Sequence, residues 1–260
     1  MPAKSIPPMA KPKTAQPFTR ALLRWFARAG RDLPWRRTRN PYRIVVSEFM
    51  LQQTQVSRVA EYYPRFLARF PTVHHLARAR PKSVREAWEG LGYYARAANL
   101  HALAKEVSGA GGQVPDTPEE LIKLPGVGPY TAGAVATFAY EKPVAAVDTN
   151  VARVVRRFFI GEGGPKGRGV GSGTRRSRTK ARPSAEGTTP HPPLRSIWAL
   201  TAALVPKTGQ RAWRFNQAIM ELGALICVAR KPKCPECPVN KNCRTYKTRR
   251  TDAQMGNRNR

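Results

Sequence analysis

The chain has 260 residues, of which 41% are hydrophobic, so a folded core is expected and global disorder is excluded. Its formal net charge is +30, from 46 lysines and arginines against 16 aspartates and glutamates. A positive charge of that size predicts a polyanionic partner, and nucleic acid is favoured over an anionic membrane surface. No apolar run reaches the roughly 18 residues that a membrane-spanning helix needs, so we expect no membrane partner.

The N-terminal region predicts a flexible arm followed by a helix. Residues 1–17 are basic and rich in proline but lack the apolar centre of a signal peptide. Apolar residues then recur at helical spacing from Phe18 to Ala29 and stop at Gly30, a residue typical of helix C-termini. The sequence therefore predicts a helix that begins at residue 18.

The following elements are also predicted to be helical. Apolar helix-forming residues extend over 42–59, and the two prolines of residues 64–71 are predicted to bracket another short helix. Residues 117–120 form a capping box with proline at the first helical position, which predicts a helix that extends to Leu124. A further helix is predicted over residues 130–140. Because strand-like alternation is scarce, the predicted fold class is all-α.

One segment in the C-terminal half is predicted to be irregular. Residues 161–195 are rich in Gly, Pro, Ser, Thr and Arg and almost lack large apolar side chains. Such a segment cannot offset its ordering entropy by burial, so a disordered basic insertion is expected. It could act as a solvated linker or add non-specific DNA affinity. Residues 246–260 are predicted to form a basic tail.

Four cysteines lie close together near the C-terminus, at Cys227, Cys234, Cys237 and Cys243. A disulfide framework would spread its bridges across a chain of this length, so the cluster indicates a metal site. Structural zinc and an iron–sulfur cube both remain open from the spacing. Only one pair of cysteines is closely spaced, whereas zinc ribbons use two close pairs, and this favours iron–sulfur.

Residues 124–136, LPGVGPYTAGAVA, predict a tight turn that leads into a helix. Gly126 and Gly128, on either side of Val127, allow the turn, and the N–H groups that begin the helix can bind an anion. By itself, such a segment is more often an ordinary turn between helices.

Two carboxylates are placed where a site could use them. Glu48 interrupts the apolar run IVVSEFML, so burial should raise the pKa of its carboxyl enough to retain a proton near neutral pH. A helix-surface glutamate is the alternative. Asp148 precedes a helix that is expected to begin near Val151, which predicts an N-terminal cap.

Several longer motifs can be compared with known families. They are LPWR (33–36), SEFMLQQTQV (47–56), WEGLGYYARAANLH (88–101), LPGVGPYTAG (124–133), VDTNVARV (147–154), FNQAIMELGALIC (215–227) and the cysteine run. Together they resemble the DNA glycosylases of the helix-hairpin-helix, or endonuclease III, superfamily. The similarity is greatest to the adenine glycosylases that act on adenine mispaired with guanine or 8-oxoguanine, and it spans about residues 18–245.

This resemblance implies two helical lobes with DNA bound in the cleft between them. One lobe is a six-helix module over about residues 37–144. The other combines the N-terminal helix within residues 18–36 with residues 145–245, and it carries a [4Fe–4S] cluster in a C-terminal loop held by the four cysteines. The turn formed by Gly126, Val127 and Gly128 is then the hairpin, whose backbone N–H groups bind a phosphate.

The resemblance also implies catalytic roles. Glu48 is the general acid that protonates adenine, and it later activates water. Asp148 stabilises the sugar cation by acting as the nucleophile. Asn150 positions the carboxylates or the water. Tyr130 occupies the position of a lysine in bifunctional relatives, so we expect a monofunctional enzyme without strong lyase activity. The phenol is expected to hydrogen-bond near Asp148, with simple packing as the alternative.

Further residues are implied to bind DNA. Gln53 fills the space beside the mismatch and Tyr93 wedges or stacks in the duplex, because a buried base must be flipped out to react. The resemblance assigns further contacts with DNA or with the adenine base to Leu33, Trp35, Arg36 and Thr54.

Two alternatives remain from the sequence. Only 17 residues follow Cys243, so no 8-oxoguanine-recognition domain is expected after the cluster. A short architecture also occurs in mismatch glycosylases that remove thymine or uracil opposite guanine, although the QQT and GLGYYARAANLH motifs favour adenine. A non-catalytic DNA-binding module is the second alternative.

We expect a monomer that acts on double-stranded DNA and is cytoplasmic, associated with the nucleoid.

Overall fold

A computed structural model describes residues 11–161, 194–248 and 250 of the chain. These residues form helices and contain no strand, which confirms the all-α class. The α-helices are α1 (Ala15–Ala29), α2 (Pro41–Leu51), α3 (Val56–Arg69), α4 (Val73–Arg78), α5 (Pro81–Ala87), α6 (Ala95–Gly109), α7 (Pro118–Leu121), α8 (Pro129–Tyr140), α9 (Thr149–Val155), α10 (Leu194–Leu204) and α11 (Gly209–Leu225). None of them is long and apolar enough to cross a membrane.

The termini of the predicted segments differ in detail from the structure. Helix α1 begins at Ala15 rather than residue 18, because Ala15 is itself buried in the core. The predicted end of the insertion is also too late, since Leu194 already belongs to α10. The remainder of the insertion, residues 162–193, lies outside the described part of the chain. Residues 244–248 are helical, so the predicted basic tail, which starts at residue 246, begins inside a helix.

The prediction that a short helix is bracketed by Pro64 and Pro71 is wrong. Pro64 lies inside α3, on its exposed side, and Tyr63 and Phe66 beside it are buried. Burial of these aromatic side chains holds the helix together across the hydrogen bond that proline cannot donate. The predicted apolar helix over residues 42–59 is divided into α2 and α3 by the loop of residues 52–55.

The first lobe contains seven helices, α2–α8, where six were expected over residues 37–144. The short helices α4 and α5 are separate because each has its own start signal. The side chain of Thr72 accepts a hydrogen bond from the backbone N–H of His75, and Pro81 occupies the first turn of α5. These helices enclose a core that includes Phe49, Trp88 and many further buried apolar residues.

A second core is formed by α1, α9, α10 and α11. Its centre is aromatic: the ring centroid of Phe18 lies 4.6 Å from that of Phe158 and 6.5 Å from that of Phe215. The apolar side of α1 thus packs onto elements more than 100 residues away in sequence. Helix α11 also packs against α8 of the first lobe, so the two cores adjoin along these helices.

The hairpin between α7 and α8 has the predicted tight turn. Gly126 adopts a φ of +74°, and a Cβ there would lie 2.7 Å from Cβ of Asn99, so glycine is required. Helix α7 ends at Leu121, before the predicted Leu124. Leu124 precedes Pro125, a position that disfavours helical backbone, and residues 122–124 form turns instead.

Candidate active site

A cavity of about 790 Å³ lies between the two cores. Its walls come from α2 and α8 of the first lobe, from α9, α10 and α11 of the second, and from the segment that precedes α2. Nine of the predicted site residues line it: Leu33, Trp35, Arg36, Glu48, Gln53, Thr54, Tyr130, Asp148 and Asn150. A volume of this size is within the range typical of small-molecule sites.

Glu48 is buried on α2, with only 3% of its surface exposed. Burial raises the pKa of its carboxyl to about 7, while hydrogen bonding by Tyr130 lowers the pKa and the nearby charge of Asp148 raises it. Its Oε2 atom is buried without a hydrogen-bond partner among the described residues. The burial expected from the apolar run is therefore present, and at a pKa of about 7 both the protonated and the ionised carboxyl exist near neutral pH.

Tyr130 is the second residue of α8, immediately after the hairpin turn and Pro129. Burial and the nearby carboxyls of Glu48 and Asp148 raise the pKa of its phenol well above the ordinary value. The phenol therefore stays protonated and can only act as a neutral hydrogen-bond donor or acceptor. Its hydroxyl also lies 4.0 Å from the sulfur of Met220 on α11.

Asp148 caps the N-terminus of α9, as predicted. Its Oδ1 accepts from the backbone N–H of Val151 at 2.7 Å, and its Oδ2 accepts from Nδ2 of Asn150 at 2.8 Å. Burial raises the pKa of the carboxyl, and both hydrogen bonds and the charge of Arg153 oppose that rise. The helix N-terminus and Asn150 thus orient both oxygens of a partly buried carboxylate at the cavity.

A third acidic residue in the cavity, Glu221 on α11, was not identified from the sequence. Its Oε1 accepts from Nε of Arg31 at 2.8 Å and its Oε2 accepts from Nη2 of Arg36 at 2.9 Å. Burial alone would raise the pKa of Glu221, but the two arginines outweigh it and lower the pKa to about 2. The one available signal was an acidic residue within the apolar motif FNQAIMELGALIC. Its role could not be inferred because its arginine partners lie about 190 residues earlier in the sequence.

The same ion-pair network fixes Arg36 at the cavity wall. Nε of Arg36 donates to Oε1 of Gln217 at 2.7 Å, and its Nη1 donates to the carbonyl of Arg31 at 2.8 Å. Leu33 and Trp35, on the same segment, are mostly buried beside it. The wall is therefore formed by apolar surface and by polar groups with fixed orientations. Helix α10 adds two further lining residues that the sequence did not indicate, Leu194 and Trp198.

Gln53 and Tyr93 lie on two exposed loops. Gln53 follows α2 at the edge of the cavity, whereas Tyr93 precedes α6 and does not line the cavity. The Tyr93 side chain is 64% exposed, so its ring is accessible to a partner. Gly126, Val127 and Gly128 also lie outside the cavity, on the hairpin.

The four cysteines line a second, small cavity of about 30 Å³. Burial raises the pKa of Cys237 to about 12, and the neighbouring cysteines add to this rise, so the thiolates need a cationic partner to be stable. No group of Cys, His, Asp or Glu side chains in the described residues is arranged to hold a metal ion directly. Four sulfur donors around one cavity nevertheless fit a group with four thiolate ligands.

The segment that carries the four cysteines, residues 227–243 (the cysteine loop), is connected to Asp148 through Arg153 on α9. Nε of Arg153 donates to the carbonyl of Cys227 at 2.7 Å, and its Nη2 donates to Oδ1 of Asn150 at 2.6 Å. Asn150 in turn contacts Asp148. One arginine therefore joins the two cavities by direct hydrogen bonds.

The chain is similar to known DNA repair proteins. The sequence pattern of the HhH-GPD superfamily of base excision DNA repair proteins matches residues 46–170. The adenine DNA glycosylase of Mycolicibacterium smegmatis is 41% identical over 225 residues, which cover 86% of this chain and 67% of that protein. The adenine DNA glycosylase of Rattus norvegicus is 40% identical over 239 residues, which cover 88% of this chain and 42% of that protein.

Solved structures show the same fold. A thermostable thymine-DNA glycosylase superimposes with a TM-score of 0.73 at 29% identity, over 91% of this chain and 98% of that one. An endonuclease III in complex with DNA superimposes with a TM-score of 0.68 at 23% identity, over 94% of this chain and 100% of that one. The chain therefore belongs to the HhH-GPD superfamily of base excision DNA repair proteins, and within it to the adenine DNA glycosylase family. It spans about two fifths of the length of the mammalian relatives that it matches.

Proposed function

We propose that the protein is a monofunctional DNA glycosylase that removes adenine mispaired with guanine or 8-oxoguanine in base excision repair. The observation that carries the proposal is the pairing of two unlike carboxyls in one cavity. Glu48 has a pKa of about 7 and can donate a proton, whereas Asp148 is held at a helix N-terminus by two hydrogen bonds. Cleavage of a glycosidic bond needs an acid of this kind together with an anion.

Hydrolysis then follows two steps. Glu48 transfers its proton to a ring nitrogen of adenine as the bond between the base and the sugar breaks, and the bonding electrons leave with the base. The carboxylate of Asp148 stabilises the positive charge that develops on the sugar, with Asn150 holding that carboxylate in place. Water then adds to the sugar carbon and returns one proton to Glu48. The products are free adenine and an abasic site.

Tyr130 accounts for the absence of a strand-cleaving step in the proposal. A phenol cannot form the imine through which an amine nucleophile cleaves the strand by elimination. Because its phenol remains neutral between Glu48 and Asp148, it can donate a hydrogen bond to either carboxyl as their charges change. This interaction favours hydrolysis by water.

The base would be recognised at the wall formed by Leu33, Trp35, Arg36 and Gln217. Leu33 and Trp35 supply apolar surface for the ring faces, while the polar groups of Arg36 and Gln217 are oriented by Glu221 and by each other. A site that is built to hydrogen-bond a base edge rejects a base whose donors and acceptors are reversed. We assign selection of the base to this wall.

DNA would be held at three further places. The hairpin of Gly126, Val127 and Gly128 presents the N-terminus of α8 to a phosphate, and Gly128 has open space around it. Gln53, together with Thr54, and the exposed ring of Tyr93 would enter the duplex beside the extruded nucleotide. The net charge of +30 supports association with the backbone.

The four cysteines would hold a [4Fe–4S] cluster as its four thiolate ligands. When bound, such a cluster supplies the positive charge that these partly buried thiolates require, and it fixes the loop. Exposed basic side chains on this loop can then face a phosphate: Lys231, Lys233, Lys241 and Arg244. We assign the cluster a structural and DNA-positioning role and no step in base removal. A monomer acting on chromosomal DNA completes the proposal.

A second candidate is removal of thymine or uracil opposite guanine. It is supported by the superposition on a thymine-DNA glycosylase at a TM-score of 0.73. The higher identity of 41% to an adenine DNA glycosylase makes adenine the first choice. A non-catalytic DNA-binding module is disfavoured, because such a module would have no need of a buried acid beside a capped carboxylate.

The test is single-turnover base release from four duplexes that differ in one pair: adenine opposite 8-oxoguanine, adenine opposite guanine, thymine opposite guanine, and uracil opposite guanine. Alkali-sensitive sites should form at adenine in the first two duplexes only. Release from the last two alone would establish the second candidate, and release from none would establish the binding module.

A further inference from the structure

Two exposed loops in the first lobe hold a non-glycine residue in the left-handed region. Gln53 has a φ of 57° and Tyr93 a φ of 47°, and within the described ranges Glu141 is the one other non-glycine residue with positive φ. Side chains other than glycine rarely adopt this backbone, so the surrounding structure must hold each loop in place. The two loops carry the side chains that we assign to the duplex.

The first loop is held by the guanidinium of Arg96 on α6. Its Nη1 donates to the carbonyls of Phe49 at 3.1 Å, of Met50 at 2.9 Å, and of Gln52. Its Nη2 donates to Oγ1 of Thr54 at 3.1 Å. These acceptors are the unpaired end of α2 and the residues on both sides of Gln53.

The second loop is held by the same guanidinium. Nη2 of Arg96 also donates to the carbonyls of Leu91 at 2.9 Å and Gly92 at 3.1 Å, which directly precede Tyr93. The guanidinium carbon lies 5.6 Å from the ring centroid of Tyr93 and 5.4 Å from that of Trp88. One planar group therefore contacts both loops at once.

Arg96 itself does not face DNA. Only 8% of its surface is exposed; its Nη1 and Nη2 atoms donate to carbonyls and a hydroxyl, while its Nε is buried without a hydrogen-bond partner among the described residues. Burial of a cation is costly, and the rigid, forked guanidinium is the side chain that can meet this many acceptors in one plane. A lysine offers three donors around one point and cannot bridge both loops.

We propose that Arg96 is a positioning residue that fixes the spacing between Gln53 and Tyr93, so that both enter the duplex together and extrude the target base. The inference rests on the proposed function for the identity of the target, but it concerns extrusion and not bond cleavage. It predicts that the contribution of Arg96 depends on how firmly the target base is paired.

The test compares Arg96→Lys with Arg58→Lys. Nη2 of Arg58 donates to the carbonyl of Gly90 and to the hydroxyl of Tyr62, both at 3.2 Å, so of the two loops this control arginine contacts only the one that carries Tyr93. The duplex carries 2-aminopurine opposite guanine, and the fluorescence of this base rises when it leaves the stack. At saturating protein, the parent and Arg58→Lys should give the full rise, and Arg96→Lys should give a rise about fivefold or more smaller.

A second measurement separates positioning from general loss of structure. In single-turnover release, Arg96→Lys should lose about tenfold or more on adenine opposite guanine. It should stay within about twofold of the parent on adenine opposite an abasic-site analogue, where no pair has to be opened. Should Arg96→Lys fail to fold, Arg96→Gln removes the buried charge and the forked donor set together and should show the same selective loss. An equal loss on both substrates, an undiminished fluorescence rise, or an equal defect in Arg58→Lys would overturn the inference.

The fluorescence rise does not require base release. A parent protein that extrudes 2-aminopurine but releases no adenine would contradict the proposed function and leave the role of Arg96 intact.

Discussion

Nη2 of Arg153 donates to Oδ1 of Asn150 at 2.6 Å, and this contact links the cysteine loop to the cavity between the two cores. The same guanidinium donates to the carbonyls of Cys227 and Gly223, both at 2.7 Å. Nδ2 of Asn150 in turn donates to Oδ2 of Asp148 at 2.8 Å. The orientation of the proposed anion beside the sugar therefore depends on the segment that carries the proposed cluster ligands.

Replacing Arg153 by lysine should slow base release without weakening DNA binding. Lysine retains the charge but cannot contact Asn150, Cys227 and Gly223 together, so Asp148 loses its fixed orientation. A misplacement of this kind lowers the rate by up to about 100-fold. Single-turnover release and duplex affinity measure the two effects separately. The exposed Arg24→Lys on α1 is the control and should match the parent in both; a loss of affinity equal to the loss of rate in Arg153→Lys would contradict the prediction.

The pKa of Glu48 predicts the pH dependence of base release. Burial raises this pKa from 4.5 to about 7, so the proton that the acid must donate is retained below about pH 7. The single-turnover rate should thus be level from pH 5.5 to near 7 and fall about tenfold per unit above it. Duplex affinity, measured over the same range, is the control for a change in binding. A rate that rises between pH 7 and 8.5 would exclude Glu48 as the acid.

Iron analysis tests the cysteine site. Protein purified without oxygen should contain about four iron atoms per chain, because four thiolates form the ligand set of one [4Fe–4S] cluster. Cys237→Ala should lose the iron, and the loop that Arg153 contacts should lose its order, so both base release and duplex affinity should fall. Stoichiometric zinc in the parent protein would contradict the assignment.

Two glycines of the hairpin form a matched pair. In Gly126→Ala the new Cβ would meet Asn99 at 2.7 Å and Phe49 at 2.9 Å at a φ of +74°, whereas the Cβ of Gly128→Ala would have nothing within 4 Å. Gly126→Ala should therefore lower the free energy of unfolding by about 1–3 kcal/mol. Gly128→Ala should keep the parent melting temperature but weaken duplex binding, because its methyl group occupies the side open to a phosphate. A stable Gly128→Ala with unchanged affinity would argue against the phosphate site.

Local signals account for the parts of the fold that the sequence predicted well. Gly30 ends α1, the Thr117 motif begins α7, and Asp148 caps α9, since each depends on residues within one turn of the helix. Glu48 was identifiable because a charged residue in an apolar run must be buried or break the helix. Pro64 was misleading because its local effect on the backbone was outweighed by the burial of Tyr63 and Phe66.

The parts that were missed depend on distant residues. Glu221 is ordered by Arg31 and Arg36, and Arg96 gathers carbonyls from two loops more than 35 residues apart along the chain. Neither network has a local pattern, because each arginine meets acceptors that only the tertiary fold brings near. Such contacts cannot be inferred from spacing in a single sequence.

The most direct test of the central claim is to identify every product of one turnover on a duplex with adenine opposite guanine. The parent protein should release free adenine and leave an intact abasic strand, and borohydride should trap no protein–DNA adduct. Glu48→Gln and Asp148→Asn should bind the same duplex but release at least about 100-fold less adenine in the same time, a barrier increase of about 2.7 kcal/mol. Trapping of the parent protein, strand cleavage without alkali, or near-parental release by either variant would contradict hydrolysis by this pair of carboxyls.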